Sequence, residues 1–246
     1  MGGRGAEIGF QNYAGINNIE MTDTFDEDYP STRDLKPIST LPNKNFVVMA
    51  STDKIPEEIL MPNLKKIEKM LNKNPKFYNY LNKEKVYIRT ETISDSRISA
   101  CFSVDEVKKQ IIFNSNLARK NRESVENVAR EQIKANWWTK SDKDELINHV
   151  TVHEFGHYVQ RILIDKQAKK DGKEFADRSY ELKQRENMRA EIKKICYNQL
   201  GHKPKTSRYG DTKAGEFFAE TFCELYTSKN PSPTAKALEI YLKENL

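Results

Sequence analysis

The stretch from Ser141 to Leu163 constrains this chain more than any other. Ser141 suits a helix N-cap, and Asp142, Asp144 and Glu145 place negative charge in the first turn, where the helix dipole favours it. Leu146, Ile147, Val150, Phe155, Val159, Ile162 and Leu163 then make one apolar face. In the middle of this expected helix stands His153-Glu154-Phe155-Gly156-His157. Four residues advance a helix by a little over one turn, so both imidazoles project from one side. Their nitrogens can reach a single zinc ion at about 2.0 Å. Glu154 lies one step round from His153, beside the metal position without having to bind it. From there it can take a proton from a water whose pKa the metal lowers toward about 7. The competing reading is a core helix with two buried histidines. With only 4 histidines in the chain, that spacing is hard to reach by chance. Gly156 adds weight, because glycine inside a helix costs about 1 kcal/mol relative to alanine. A neighbouring strand or helix is expected to pass close to the backbone there.

A catalytic zinc site needs a third protein ligand and an open fourth position. Glu216 and Glu220 flank Phe217-Phe218-Ala219 on a further expected helix, four residues apart and on one face. One carboxylate can bind zinc while the other hydrogen-bonds a ligand imidazole and fixes its tautomer. Plain solvation is the alternative, but Phe217, Phe218, Phe222 and Leu225 surround the two acids, and a buried acid needs a partner. His149 precedes His153 by four residues and competes as a ligand. It would stand about 12 Å from His157 along the axis, too far to share one ion comfortably. A packing or supporting role is expected for it, and an exposed position for His202, beside a helix stop.

The rest of the chain sets bounds. Of 246 residues, 41 are basic and 36 acidic, for a net charge of +5. The charges interleave, as in Lys169-Lys170-Asp171, and no nucleic-acid motif accompanies them, so a solvated mixed-charge surface accounts for the excess. Cys101, Cys196 and Cys223 are odd in number and far apart, which excludes a disulfide framework and fits reduced thiols in a cytosol-like compartment. No membrane role is expected, because no window reaches the length of a span and no apolar run of a secretory signal opens the chain. Residues 1–45, with glycines, prolines and the acidic patch Asp26-Glu27-Asp28, read as a flexible arm. Order is expected over residues 46–246. A helix carries Leu64, Ile67, Met70 and Leu71. Three strand-like runs follow at 86–89, 98–102 and 110–114, then a helix from near Ser124 and the packed rings Trp137 and Trp138. A charged helix holds Leu182, Met188, Ile192, Ile195 and Cys196, ending at Gly201 and Pro204. Helices from about Asp211 to Ser228 and Thr234 to Leu242 close the chain.

The blocks His153–His157, Thr206-Ser207-Arg208-Tyr209-Gly210 and Glu216-Phe217-Phe218-Ala219-Glu220 together resemble the catalytic domain of anthrax lethal factor and its relatives. That family includes secreted peptidases and proteins encoded by phages and mobile elements. The match is specific over about residues 149–160 and 206–226 and loose over the strands from residue 86. The resemblance implies an α+β zincin-like domain over 46–246, a small mixed sheet packed on the active-site helix, with additional helices. It implies one zinc ion held by His153, His157 and Glu216, with Glu220 supporting a ligand. Tyr209 would lie over the zinc and donate to the oxyanion or assist the leaving amine. The expected activity is hydrolysis of peptide bonds in a protein or peptide substrate, laid along a sheet edge such as Ile98–Phe102, with Glu154 as the base. The location would be cytoplasmic or with a mobile element or virion. The rival is a non-catalytic, zinc-stabilised structural or binding component of a phage or mobile element. The long charged stretch between His157 and Tyr209 departs from the pattern, and substrate preference is not carried over.

Overall fold

A computed structural model describes residues 37–40, 46–49, 55–73, 86–91, 100–104 and 109–246, with side chains over 55–70 and 111–246. The expected arm, 1–45, lies outside the described residues except Pro37–Thr40. The described residues form two compact units.

One unit holds five strands: β1 (Pro37–Thr40), β2 (Phe46–Met49), β3 (Val86–Glu91), β4 (Ala100–Val104) and β5 (Lys109–Asn114). They pair in the order β1-β2-β3-β5-β4, so β1 and β4 are the edges. The pairs β2–β3 and β3–β5 are parallel, while β1–β2 and β4–β5 are antiparallel. A 3-10 turn, Ser115–Arg119, follows β5 and is capped by the Asn114 side chain.

The other unit is helical. It comprises α1 (Glu57–Lys73), α2 (Arg122–Lys134), a 3-10 helix (Lys143–Asn148), α3 (His149–Lys170), α4 (Arg178–Asn198), α5 (Ala214–Thr227) and α6 (Pro233–Asn245). Local chemistry sets the boundaries. Asn121, Asp177 and Ser232 side chains each accept a backbone N–H at the start of α2, α4 and α6. Pro233 occupies the first turn of α6, where its missing N–H costs nothing. Gly201, at φ +67°, turns the chain out of α4.

The core lies between α3 and α5, with α4 and α6 alongside. Phe155, Tyr158, Phe218 and Phe222 are all buried, and the Phe155 and Phe222 rings sit 6.2 Å apart across the α3–α5 seam. Each such ring contributes about 1.5–3 kcal/mol by leaving water. Gly156 is what lets the two helices meet this closely. A β-carbon there would lie 3.0 Å from Ala219 Cα and 3.1 Å from Phe222 Cβ. The close neighbour expected from the sequence is therefore α5.

The expected α+β arrangement, with a mixed sheet packed on the site helix, is overturned. Over residues 55–70 and 111–246, 71% are helical and 3% strand, with no sheet among them. The strands belong to a different unit from α3. The physical reason is that α3 is buried on every side, its apolar residues and its polar site residues alike, by other helices. Residues 149–160 of α3 are all buried, and α4, α5 and the Lys143–Asn148 turn supply its helical neighbours.

Candidate metal centre

The site helix starts later than its sequence suggests. Asp142, not Ser141, occupies the N-cap of the Lys143–Asn148 3-10 helix, and the α-helix proper begins at His149. This frees the Ser141 hydroxyl, which lies 2.7 Å from His149 Nδ1 and 2.6 Å from Thr227 Oγ1. His149 is fully buried and stacks on Trp138 at 4.7 Å with 10° between the planes. It is a packing residue tied to the end of α5, with its Nε2 3.9 Å from Glu220.

His153 and His157 project together from α3, their rings edge to face at 4.9 Å. The close Gly156–Ala219 approach brings Glu216 from α5 directly opposite. Glu216 Oε2 lies 3.2 Å from His153 Nε2 and 3.5 Å from His157 Nε2. One donor atom from each of the three residues lies within 4.8 Å of the others, the condition for sharing an ion. Tetrahedral zinc with bonds of about 2.0–2.1 Å separates its ligand atoms by about 3.3 Å. Two imidazoles and one carboxylate at 3.2 and 3.5 Å fit that edge length and that donor chemistry.

Glu220, one turn on, reaches the other side of His153. Its Oε1 lies 2.9 Å from His153 Nδ1. Its Oε2 accepts from the Thr139 backbone N–H at 2.6 Å and from the Ser207 hydroxyl at 2.7 Å. A carboxylate can only accept, so His153 Nδ1 carries the proton and Nε2 is the nitrogen turned to Glu216.

The electrostatics follow from this crowding. Burial alone would depress the His153 imidazolium, but Glu216 and Glu220 outweigh it and hold its pKa well above 6.5. Burial alone would raise both carboxyls, yet His157 and His153 pull Glu216 far below its usual range. The nearby His149 imidazole and the hydrogen bond to His153 do the same for Glu220. Without a cation, the two carboxylates favour the protonated His153 ring beside Glu216.

Tyr209 is buried, with its ring 5.8 Å from His153 and its hydroxyl hydrogen-bonded to Glu216. Burial, then the charges of Glu216 and Glu154, keeps the phenol protonated far above pH 10. Glu154 is fully buried and close enough for its charge to act on both His153 and Tyr209. The structure thus brings together His153, Glu154, His157, Tyr209, Glu216 and Glu220, and leaves His202 exposed.

Further residues complete the site. Asn136, at φ +54°, turns the chain so that Asn136 and Trp137 carbonyls accept from Arg208 N–H at 3.0 Å and Tyr209 N–H at 3.1 Å. Thr139 and Ser207, one from each of these paired segments, then meet at Glu220. Ser207 carried a legible signal, a serine three residues before Gly210 whose hydroxyl oxygen accepts the Gly210 N–H at 3.0 Å. Thr139 donates through its backbone N–H and carried none. Charged residues of α4 also reach the site. Glu181 and Arg185 are buried, and act electrostatically on His157 and Glu216 respectively. Among the described residues no helix is long and apolar enough to cross a membrane. No family model, no curated protein and no solved structure matches this chain.

Proposed function

We propose that this chain is a zinc-dependent endopeptidase acting on a protein or peptide substrate, related in its site residues to the lethal factor-like peptidases. The observation that carries the reading is the convergence of His153 Nε2, His157 Nε2 and Glu216 Oε2 at 3.2 and 3.5 Å, with Glu154 and Tyr209 beside them. The likeness rests on those residues and not on the fold. Zinc held there would supply Lewis acidity and lower the pKa of a water toward about 7. Glu154 accepts the proton of the attacking water and returns it to the departing amine. The Tyr209 phenol, neutral at pH 7, donates a hydrogen bond to the oxygen on which charge develops. Glu220 keeps the His153 ring in the tautomer whose Nε2 faces the ion. No part in binding nucleic acid or membrane is proposed. Buried free thiols at Cys196 and Cys223 suit a cytoplasm-like compartment or association with a mobile element.

One observation favours a second reading, a zinc-stabilised structural or binding component of a phage or mobile element. His153, Glu154 and His157 are 0% exposed, Glu216 4% and Tyr209 5%, so the centre is closed as a structural site would be. A structural site has no use for Glu154 or Tyr209, however. Glu154→Gln separates the two. A peptide-library digest with both proteins, and metal analysis of each, should find one zinc in both and cleavage by the wild type alone. Zinc in both with cleavage by neither supports the structural reading. Equal cleavage by both removes Glu154 as the base.

A further inference from the structure

The Ser207 hydroxyl bonds both the loop bearing Tyr209 and the carboxylate holding His153. It is 2% exposed, donates to Glu220 Oε2 at 2.7 Å and accepts from Gly210 N–H at 3.0 Å. Tyr209 lies within the turn that this second bond closes, between Ser207 and Gly210. Glu220 Oε2 has a second donor, the Thr139 N–H at 2.6 Å, and Oε1 faces His153 Nδ1 at 2.9 Å. Two donors on Oε2 fix the rotation of the carboxylate plane, and that plane sets the angle at which the imidazole ring is held. The loop has little freedom to compensate. A β-carbon at Gly210 would lie 2.7 Å from Thr206 Oγ1 and 3.1 Å from Glu220 Cβ, so the turn already touches the α5 side chain it serves.

We propose that Ser207 is a positioning residue that sets His153 and Tyr209 as one unit: its hydroxyl fixes the Glu220 carboxylate on one side and the Tyr209 turn on the other. This rests on the reading of the site as a zinc peptidase centre. Without the hydroxyl, Glu220 keeps the Thr139 bond but can rotate about it. The His153 ring and the Tyr209 phenol then lose their common reference.

The test uses full-length wild type, Ser207→Ala and Ser207→Thr. Zinc affinity is measured by competition with a chromophoric chelator, and exchange of the His153 Nδ1 proton and Gly210 amide by NMR on the cation-free proteins. Ser207→Ala should bind zinc about tenfold more weakly. It should exchange both protons faster and lower kcat with KM unchanged, at a melting temperature close to wild type. Ser207→Thr, which keeps the hydroxyl, should restore all of these. Wild-type zinc affinity and exchange rates in Ser207→Ala overturn the proposal, as does equal weakening in Ser207→Thr, which marks Ser207 as packing only. If the wild type neither binds zinc nor cleaves peptides, the peptidase reading falls. The two exchange rates still decide Ser207: faster in Ala and normal in Thr supports the coupling, unchanged in Ala rejects it.

Discussion

His153 is where acid–base chemistry and metal chemistry compete for the same atom. Its Nε2 faces Glu216 at 3.2 Å, and in the cation-free protein the neighbouring carboxylates favour the protonated ring. With its pKa raised above 6.5, His153 contributes stability that is complete below pH 6.5 and is lost as pH climbs through the raised value. Glu216 and Glu220, depressed below 4.5, contribute stability present above pH 4.5 and lost as pH falls through their lowered values. The cation-free protein should therefore melt highest between these limits and lose stability on the alkaline side. A melting temperature that is flat through and above neutrality would refute the ion pair. Zinc must displace the Nε2 proton, so its affinity should rise with pH and its binding should release protons. Calorimetry in two buffers of different ionisation enthalpy reads that release directly. At Tyr209, removal of the hydroxyl in Tyr209→Phe should leave zinc affinity within a few-fold of wild type. It should lower kcat by about 10²–10³, as loss of one oxyanion donor does; an equal kcat in a peptide cleavage assay would remove the phenol from the chemistry.

At the scale of the helix, Gly156 decides whether the site exists. Alanine at this position gains about 1 kcal/mol of helix propensity. Its β-carbon, however, would sit 3.0 Å from Ala219 Cα, where apolar carbons normally stay about 3.5–4.0 Å apart. The neighbour is backbone, so α3 and α5 must separate, and the cost of overpacking, about 1–3 kcal/mol, outweighs the gain. Gly156→Ala should unfold earlier in denaturant and also bind zinc more weakly, because the separation carries Glu216 away from His153 and His157. Unchanged zinc affinity would show that the α3–α5 distance does not govern the centre. Helix α4 gives the opposite lesson. Its apolar period put Leu182 inside, and Met188, Ile192, Ile195 and Cys196 do turn inward, but Leu182 is 48% exposed. Glu181 and Arg185 take the inward positions instead. They are bonded to one another, and Arg161 of α3 reaches Glu181 at 3.1 Å. A hydropathy pattern reads a charged side chain as outward, and only the partner on another helix makes it an inward one.

Considered as a whole molecule, the centre is closed. Every proposed metal or catalytic residue is 5% exposed or less, and the Arg161–Glu181–Arg185 cluster ties α4 to α3 beside it. A peptide or chelator therefore reaches the centre only after some covering element moves, and the tie between α4 and α3 points to α4. Glu181→Ala removes the carboxylate that binds Arg185 from α4 and Arg161 from α3, and loss of one member of a buried pair costs about 3–5 kcal/mol. The variant should release bound zinc to a chelator several-fold faster than wild type in a stopped-flow or colorimetric assay. Identical release rates would mean the ion leaves by another route.

Local rules were enough for most of the described elements and for half of the site, but not for strand β1 within the expected arm nor for the 3-10 helix before His149. The spacing of His153 and His157, the neighbouring Glu154, the acids Glu216 and Glu220 and the need for a close neighbour at Gly156 were all written in short stretches, because helical periodicity and metal geometry act within one or two turns. The fold class was not. Strand runs at 86–114 suggested a sheet packed on the site helix, yet whether a strand covers a given helix depends on surfaces far apart in sequence. The unit carrying α3 is helical. Nor could the sequence choose Glu216 over Glu220 without a resemblance, since both lie on one face. The α3–α5 approach at Gly156 and Ala219 puts Glu216 opposite both imidazoles and sets Glu220 against Nδ1. Thr139 and Ser207 became site residues only when two distant loops paired around that second carboxylate, and no local pattern specifies such a meeting.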